Sequence, residues 1–189
     1  MPMPELPNDL SRLSLEEIAA LVAGHIAPPI ETWNPPLTGH SRVRIAADGR
    51  WFHDDTLIAR ENLVRLFATI LRREADGSYV LVTPTEKQTV DVEDAPLMAV
   101  EVKSQGEGQD RTLAFRLNVD GLVVAGPDHI LRFDGTAEAP APYVTARRGI
   151  EARIARAPFY ELVELALAEA SEPLGLWSGG TFFSMAAIV

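Results

Sequence analysis

The chain contains no cysteine, which excludes disulfides, thiolate nucleophiles and cysteine metal ligands together and suits a reducing compartment. It has no apolar run near the roughly 18 residues that a membrane-spanning helix needs. The start, "MPMPELPNDLSRLSLEE", is acidic and proline-punctuated, without the basic beginning and apolar core of a secretory leader. Positive charge is scarce: 17 Lys and Arg against 27 Asp and Glu give a net charge of −10. Such a field repels phosphate backbones and anionic lipid surfaces. A cytoplasmic protein of bacterial type is therefore expected, with neither nucleic acid nor membrane as partner.

Catalytic and metal-binding patterns are missing too. The histidines, His25, His40, His53 and His129, are isolated, and none forms the i, i+4 pair that sets two imidazoles on one helix face. His53 beside Asp54 and Asp55 is the best local cluster, and it reads as a polar hairpin turn. "GLWSGG" lacks the glycine ahead of Ser178 that a nucleophile elbow requires. "GEGQDR" lacks the third glycine and the strand-to-helix setting of a dinucleotide loop, and no Walker A sequence occurs. Glu93 and Asp94 are adjacent on a strand and so point to opposite faces. No catalytic residue, metal or cofactor is expected.

What is present is a foldable chain: 189 residues, 47% apolar and 23% charged, enough for one domain or two small ones. "SLEEIAALVAGHI" opens with the capping box Ser14-x-x-Glu17, Leu13 and Ile18 can form its hydrophobic staple, and the helix ends near Gly24. "APPIETWNPPLTG" is too rich in proline for regular structure and reads as a strap. Val43 and Ile45 alternate up to an Asp48-Gly49 turn and the pattern resumes at Trp51 and His53, which predicts a hairpin. "LMAVEVKSQ" and "RTLAFRLNV" predict a second hairpin, and "GLWSGGTFFSMAAIV" a terminal strand.

One phrase occurs twice. "IARENLVRLFATIL" begins at Ile58 and "IARAPFYELVELAL" at Ile154, 96 residues later. Leu63, Leu66, Phe67, Ile70 and Leu71 make an apolar stripe in the first, matched by Phe159, Leu162, Val163, Ala166 and Leu167 in the second. With the Asp-Gly turns at 48–49 and 120–121, this spacing predicts an α+β fold of two related lobes from an internal duplication. Each lobe would hold hairpin strands, one amphipathic helix and a closing strand. The N-terminal lobe spans 1–95, including the first helix and the strap, and the C-terminal lobe 96–189.

The segments "IAADGRWFHDD", "LIARENLVRLF", "YVLVTPTEKQTVDVEDAP", "PYVTARRGIEARIARAPFYELVELAL" and "GLWSGG" together resemble the bacterial family catalogued as domain of unknown function 1285. The resemblance implies a two-part duplicated fold, a C-terminal part loosely like pleckstrin-homology barrels, a nucleotide-type ligand at the domain interface and a signalling role. It implies no reaction.

Candidate site residues follow from charge and placement. Arg60 and Arg156 stand at the two helix starts, where a cation opposes the helix dipole unless it serves an anion or carboxylate. A salt bridge to the other half answers that need, as does a phosphate held by Arg147, Arg148 and Arg156 beside free helix amides. Tyr143, Tyr160 and Trp33 offer aromatic faces for a base, although most buried aromatics are core. Glu86 and Lys87 fall between the two copies and read either as an ion pair fixing the lobes or as ligand contacts. The expected site is the cleft between lobes. The expected function is small-ligand binding or sensing with a nucleotide-like anion, the alternative being a protein-interaction module without a small-molecule ligand.

Overall fold

The computed structural model describes residues 13–24 and 27–188. Helix α1 (Leu15–Gly24) begins at the predicted capping box: the Ser14 amide donates to Glu17 Oε2 at 2.7 Å and the Glu17 amide to Ser14 Oγ at 3.2 Å. His25 lies outside the described residues. A short 3-10 turn, Ile30–Thr32, interrupts the proline-rich strap.

The N-terminal lobe is one six-stranded sheet built from two three-stranded meanders. The first is β1 (Leu37–Ile45), β2 (Trp51–His53) and β3 (Thr56–Leu57), and the second is β4 (Leu71–Arg73), β5 (Tyr79–Val82) and β6 (Lys87–Val92). β1 and β6 lie side by side in parallel, so the order is β3-β2-β1-β6-β5-β4. Helix α2 (Glu61–Thr69) joins the two meanders. The Asp48-Gly49 hairpin forms as predicted, pairing Val43 with His53 and Ile45 with Trp51. Asp54 and Asp55 are the turn between β2 and β3, both at positive φ (49° and 59°).

The C-terminal lobe repeats that plan. β7 (Leu97–Gln105), β8 (Thr112–Leu117) and β9 (Leu122–Val124) form one meander, and β10 (Leu131–Gly135), β11 (Pro140–Arg147) and β12 (Ile150–Ile154) the other. β12 runs parallel to β7, giving β10-β11-β12-β7-β8-β9. Helix α3 (Arg156–Glu169) follows, then β13 (Gly175–Ser178) and β14 (Thr181–Ser184), a hairpin where a single terminal strand was expected. This hairpin touches both β8 and β10, which stand well apart in the sheet order, so the sheet curls around it.

The duplication therefore lies in strand order, first strand parallel to sixth, and its landmarks differ from those of the repeated phrase. α2 sits between the third and fourth strands of its lobe, whereas α3 follows the sixth. The Asp48-Gly49 turn joins the first two strands of one lobe and Asp120-Gly121 the second and third of the other. The first predicted stripe also needs correction. The helix stops at Thr69, Leu71 is a fully buried residue of β4, and Leu66 is 57% exposed. In α3, Phe159, Leu162 and Ala166 are buried as expected while Leu167 is 58% exposed.

One apolar cluster runs through both lobes, from Ile45, Trp51 and Leu71 to Phe115, Val144 and Leu162. Although first in the chain, α1 packs on the outer side of the C-terminal sheet, where Ile18 meets Ala114, Leu122 and Val124. Glycine is required at 49: its φ is +81°, and a Cβ there would come within 2.4 Å of Met98 Cγ in the other lobe.

Candidate functional site

Between the lobes lies a cavity of about 140 Å³. The β1–β2 turn supplies Gly49 and Arg50, β2 supplies Trp51, β3 and the chain after it Leu57 and Ile58, α2 Glu61, Val64 and Arg65, and the C-terminal lobe Asn118. Local folding fixes these positions. The Ile58 amide donates to the Trp51 carbonyl at 2.8 Å, and α2 turns its Glu61-Val64-Arg65 side toward the same space. Trp51 is 1% exposed and stacks 6.4 Å from Phe67. Its indole N–H is buried with no acceptor among the described residues, an unusual cost for a folded protein.

Arg65 is ion-paired with Asp120 of the other lobe. One Nη reaches Asn62 Oδ1 at 3.3 Å, the other Glu61 Oε2 at 3.4 Å, and Nε lies 2.7 Å from Asp120 Oδ2 but off the N–H line, so that proton is unpaired. Asn118 Nδ2 makes only a 3.4 Å contact with the Gly49 carbonyl. The pocket thus sets Arg50, Glu61, Arg65 and Asn118 among the apolar walls of Leu57, Ile58 and Val64, while the Trp51 indole N–H and Arg65 Nε are buried behind its surface. Neither Trp51, Glu61, Arg65 nor Asn118 was marked by sequence reasoning. In the sequence Trp51 marked only the second strand of the Asp48-Gly49 hairpin, and only folding joins it and Arg65 to Asn118.

Of the sequence candidates, Tyr143 and Arg147 do stand at the lobe junction, but as braces. Tyr143 Oη donates to Asp94 Oδ1 at 2.6 Å, Arg153 Nη1 donates to Asp94 Oδ2 at 3.1 Å, and the ring lies between the guanidinium groups of Arg132 (4.3 Å) and Arg153 (5.0 Å). Burial first, then Asp94, raises the pKa of Tyr143. Arg132 is gripped by Glu151 at 3.1 and 2.9 Å, and those bonds raise its pKa. Arg147 Nη2 donates to the Ala68 and Leu71 carbonyls at the end of α2, the second at 3.1 Å, and burial lowers its pKa. A cation at a helix C-terminus is favourable, which accounts for Arg147 without a ligand.

The remaining candidates do not converge. Arg60 caps the opposite end of α2, about 12 Å away at 1.5 Å per residue, exposed and without a side-chain partner among the described residues. Arg148 and Arg156 are likewise exposed and unpartnered there. Tyr160 is 55% exposed on α3. Trp33 packs against Val80 and Val82 under the strap, its carbonyl accepting from Arg72 Nη1 at 2.7 Å. Glu86 and Lys87 do not bridge the lobes. Glu86 closes the β5–β6 turn, and Lys87 Nζ pairs with Glu74 at 3.1 Å inside the N-terminal lobe, because the chain crosses between lobes only after β6.

Asp91 faces solvent and reaches His40 Nε2 at 3.3 Å, while Glu93 accepts from Arg44 and from the Ala47 amide, so neither enters the cleft. Among the described residues, no group of three His, Asp or Glu side chains could hold a metal ion. Ser178 is fully buried, accepting from the Leu113 amide and donating to the Ala125 carbonyl, a structural position. No described helix is long and apolar enough to cross a membrane.

Comparison with known proteins adds family but no activity. The model described as "Domain of unknown function (DUF1285), N-terminal domain" matches residues 28–95, and "Protein of unknown function (DUF1285), C-terminal domain" matches 96–185. No curated protein matches the chain. The crystal structure of a DUF1285 family protein from Silicibacter pomeroyi DSS-3 is 40% identical, over 92% of this chain and 94% of that one, with a TM-score of 0.80. A second, from Shewanella baltica OS155, is 28% identical over 68% of this chain and 96% of that one, at a TM-score of 0.52. Matched over both lobes by these family models and by a solved relative of the same architecture, the chain belongs to the DUF1285 family.

Proposed function

We propose that the protein is a cytoplasmic small-molecule-binding module whose ligand sits between the lobes and biases their packing, as a sensor in signal transduction. The observation that carries this reading is the interlobe pocket itself, in which Arg50, Trp51 and Arg65 of one lobe meet Asn118 of the other. Residues from both lobes line it, so a ligand there touches both, and a ligand that prefers one lobe arrangement shifts the population toward it. The geometry favours a ligand smaller than a nucleotide. The cavity, about 140 Å³, is below the roughly 300–1,000 Å³ of ordinary ligand pockets, and a nucleotide would enter only by its base. We also read the C-terminal lobe, a curled sheet followed by α3, as a pleckstrin-homology-like unit. The exposed Tyr160 and Leu167 on one side of α3 favour a second reading, a protein-interaction surface.

A thermal-shift screen of the purified chain against nucleotides, amino acids and small organic acids tests the first reading. A ligand at a hundredfold its Kd stabilises by about 2.7 kcal/mol, roughly 5–10 °C at this chain length. Silence across the panel would remove the cavity reading and leave the interaction surface.

A further inference from the structure

Independently of the interlobe pocket, we infer that the outer face of α2 is an interface with a second copy of this chain, the two helices packing antiparallel about a twofold axis. The helix is apolar on two sides, and the molecule covers only one of them. At about 100° per residue, Glu61, Val64, Arg65 and Ala68 form the side that meets the pocket and the interior. Leu63, Leu66 and the capping residue Ile70 form the opposite side. Val64 and Phe67 pack on the main apolar cluster, whereas Leu63, Leu66 and Ile70 join none of the clusters formed by the described residues, and Leu66 is 57% exposed. Apolar side chains at i, i+3 and i+7 make a ridge of the kind that packs into the groove of another helix.

The two ends of this ridge carry opposite charges. Arg60 stands exposed before the first turn, without a side-chain partner among the described residues, at the helix end where a cation is disfavoured. Glu31 lies at the other end. It sits in the Ile30–Thr32 turn, which is held there because the Ile30 carbonyl accepts from Arg72 Nη1 at 2.7 Å, on β4 just past the end of α2. It also acts electrostatically on Arg147, the guanidinium that holds the Ala68 and Leu71 carbonyls. Glu31 is exposed and in no salt bridge among the described residues. Within one copy the charges cannot meet, because the nine residues of α2 hold them about 13 Å apart at 1.5 Å per residue.

A twofold axis at Leu66, near the middle of the helix, joins them twice. Leu66 then faces its own copy, Leu63 meets Ile70 of the second copy, and Arg60 meets Glu31 of the second copy, each pair recurring in reverse. That is the self-complementarity an isologous dimer requires. The net charge of −10 per chain opposes association mainly at long range, where salt screens it beyond about 8 Å. One short ridge falls below the roughly 800 Å² per partner of a standard interface, so the dimer is a weak, exchanging one. The inner side of the same helix lines the pocket, so pairing brings the pockets of two copies to either side of one helix pair.

The chain has no cysteine, so one introduced thiol reports on one position. Helix axes 8–10 Å apart, with Cα atoms about 2.3 Å from each axis, bring facing Cα atoms to roughly 3.5–5.5 Å, within disulfide reach. Leu66→Cys in the full chain should therefore form a covalent dimer under mild oxidation. It should do so at least roughly tenfold faster than Leu167→Cys, an equally exposed control on α3, because pairing raises the local thiol concentration. Sedimentation of the unaltered chain from about 10 µM to about 1 mM should show the average mass rising from one chain towards two. Leu66→Glu should abolish that rise and keep the melting temperature. Arg60→Glu should weaken association several-fold, and adding Glu31→Arg should restore it. If the double variant does not fold, Leu66→Glu and the two cysteine variants decide. A single-chain mass at every concentration overturns the interface and leaves the ridge to a foreign partner. Association that survives Leu66→Glu, or Leu167→Cys linking as fast as Leu66→Cys, overturns it as well and moves the contact off α2.

Discussion

Replacing Ser178 by alanine removes one oxygen, yet the structure assigns it a cost well beyond that of an ordinary surface serine. Leu113 on β8 and Ala125 just beyond β9 exchange only one ladder bond directly, Ala125 N–H to Leu113 C=O at 2.9 Å. The reciprocal bond is replaced by an inserted hydroxyl: Leu113 N–H donates to Ser178 Oγ at 2.9 Å, and the hydroxyl donates to the Ala125 carbonyl at 2.8 Å. Ser178→Ala leaves both backbone groups buried and unpaired. The strands are kept from closing the gap by the β13–β14 turn, for Gly179 is packed so tightly that a Cβ would lie 3.0 Å from the Ala125 oxygen.

Two orphaned groups at about 1.5 kcal/mol each predict a loss of roughly 3 kcal/mol. At about 2–4 °C per kcal/mol for this size, the melting temperature should fall by roughly 6–12 °C. Guanidinium unfolding followed by tryptophan fluorescence gives the free energy, and an unchanged m-value would show that only stability moved. A loss under about 0.5 kcal/mol would refute the argument, because it would mean that the ladder recloses without the hydroxyl.

Gly49→Ala should cost about 1–3 kcal/mol through its positive φ and its collision with Met98. Adding Met98→Ala should recover part of that loss in a double-mutant cycle, and strict additivity would deny the interlobe contact. Tyr143 has a folded pKa raised above the ordinary 10.0 by burial and then by Asp94. Its contribution is whole below pH 10 and is lost as pH rises through the folded value. Tyr143→Phe should flatten that alkaline decline, and an unchanged slope in pH-dependent unfolding would exclude Tyr143 as its source. Burial alone would raise the pKa of Glu74, but its bonds from Arg72 and Lys87 outweigh burial and hold it below 4.5. Its stabilisation is present above 4.5 and fades as pH falls. Glu74→Gln should therefore cost about 1–2 kcal/mol at neutral pH and lessen the acid sensitivity, and an unshifted acid midpoint would count against this.

Features decided within a few residues were legible in the sequence. The capping box at Ser14 and Glu17 and the Asp48-Gly49 hairpin are local, and both form. The boundary between α2 and β4 was not legible, because Leu71 satisfies a helical stripe and a buried strand equally. Only its pairing with Leu81 settles the choice. The repeated Ile-Ala-Arg phrase signalled duplication, but the physical repeat is the parallel closure of first and sixth strands, which carries no local signature. The site was least legible. Arg147 looked like a phosphate ligand because its acceptors, the carbonyls of Ala68 and Leu71, lie 79 and 76 residues away. Trp51 read only as a hairpin strand position, because an unsatisfied indole is a property of its neighbours rather than of its own place in the sequence.

The docking of α1 on the C-terminal sheet also sets an order of events during synthesis. The carbonyl of Leu13 bonds to the ammonium of Lys103, 90 residues further on, and Ile18 rests on Ala114 of β8. The first helix thus leaves the ribosome long before its resting place exists. At about 5–20 residues per second, it waits several seconds or more as a short amphipathic segment, too short to be stable alone. The N-terminal sheet waits as well, since β1 finds its central neighbour only when β6 emerges, with Ser41 bonded to Thr89, 48 residues away. Both contacts span long loops, which slows folding. The N-terminal sheet should therefore become protease-resistant once β6 has emerged, and α1 only later, when β8 and β9 have emerged and it can settle.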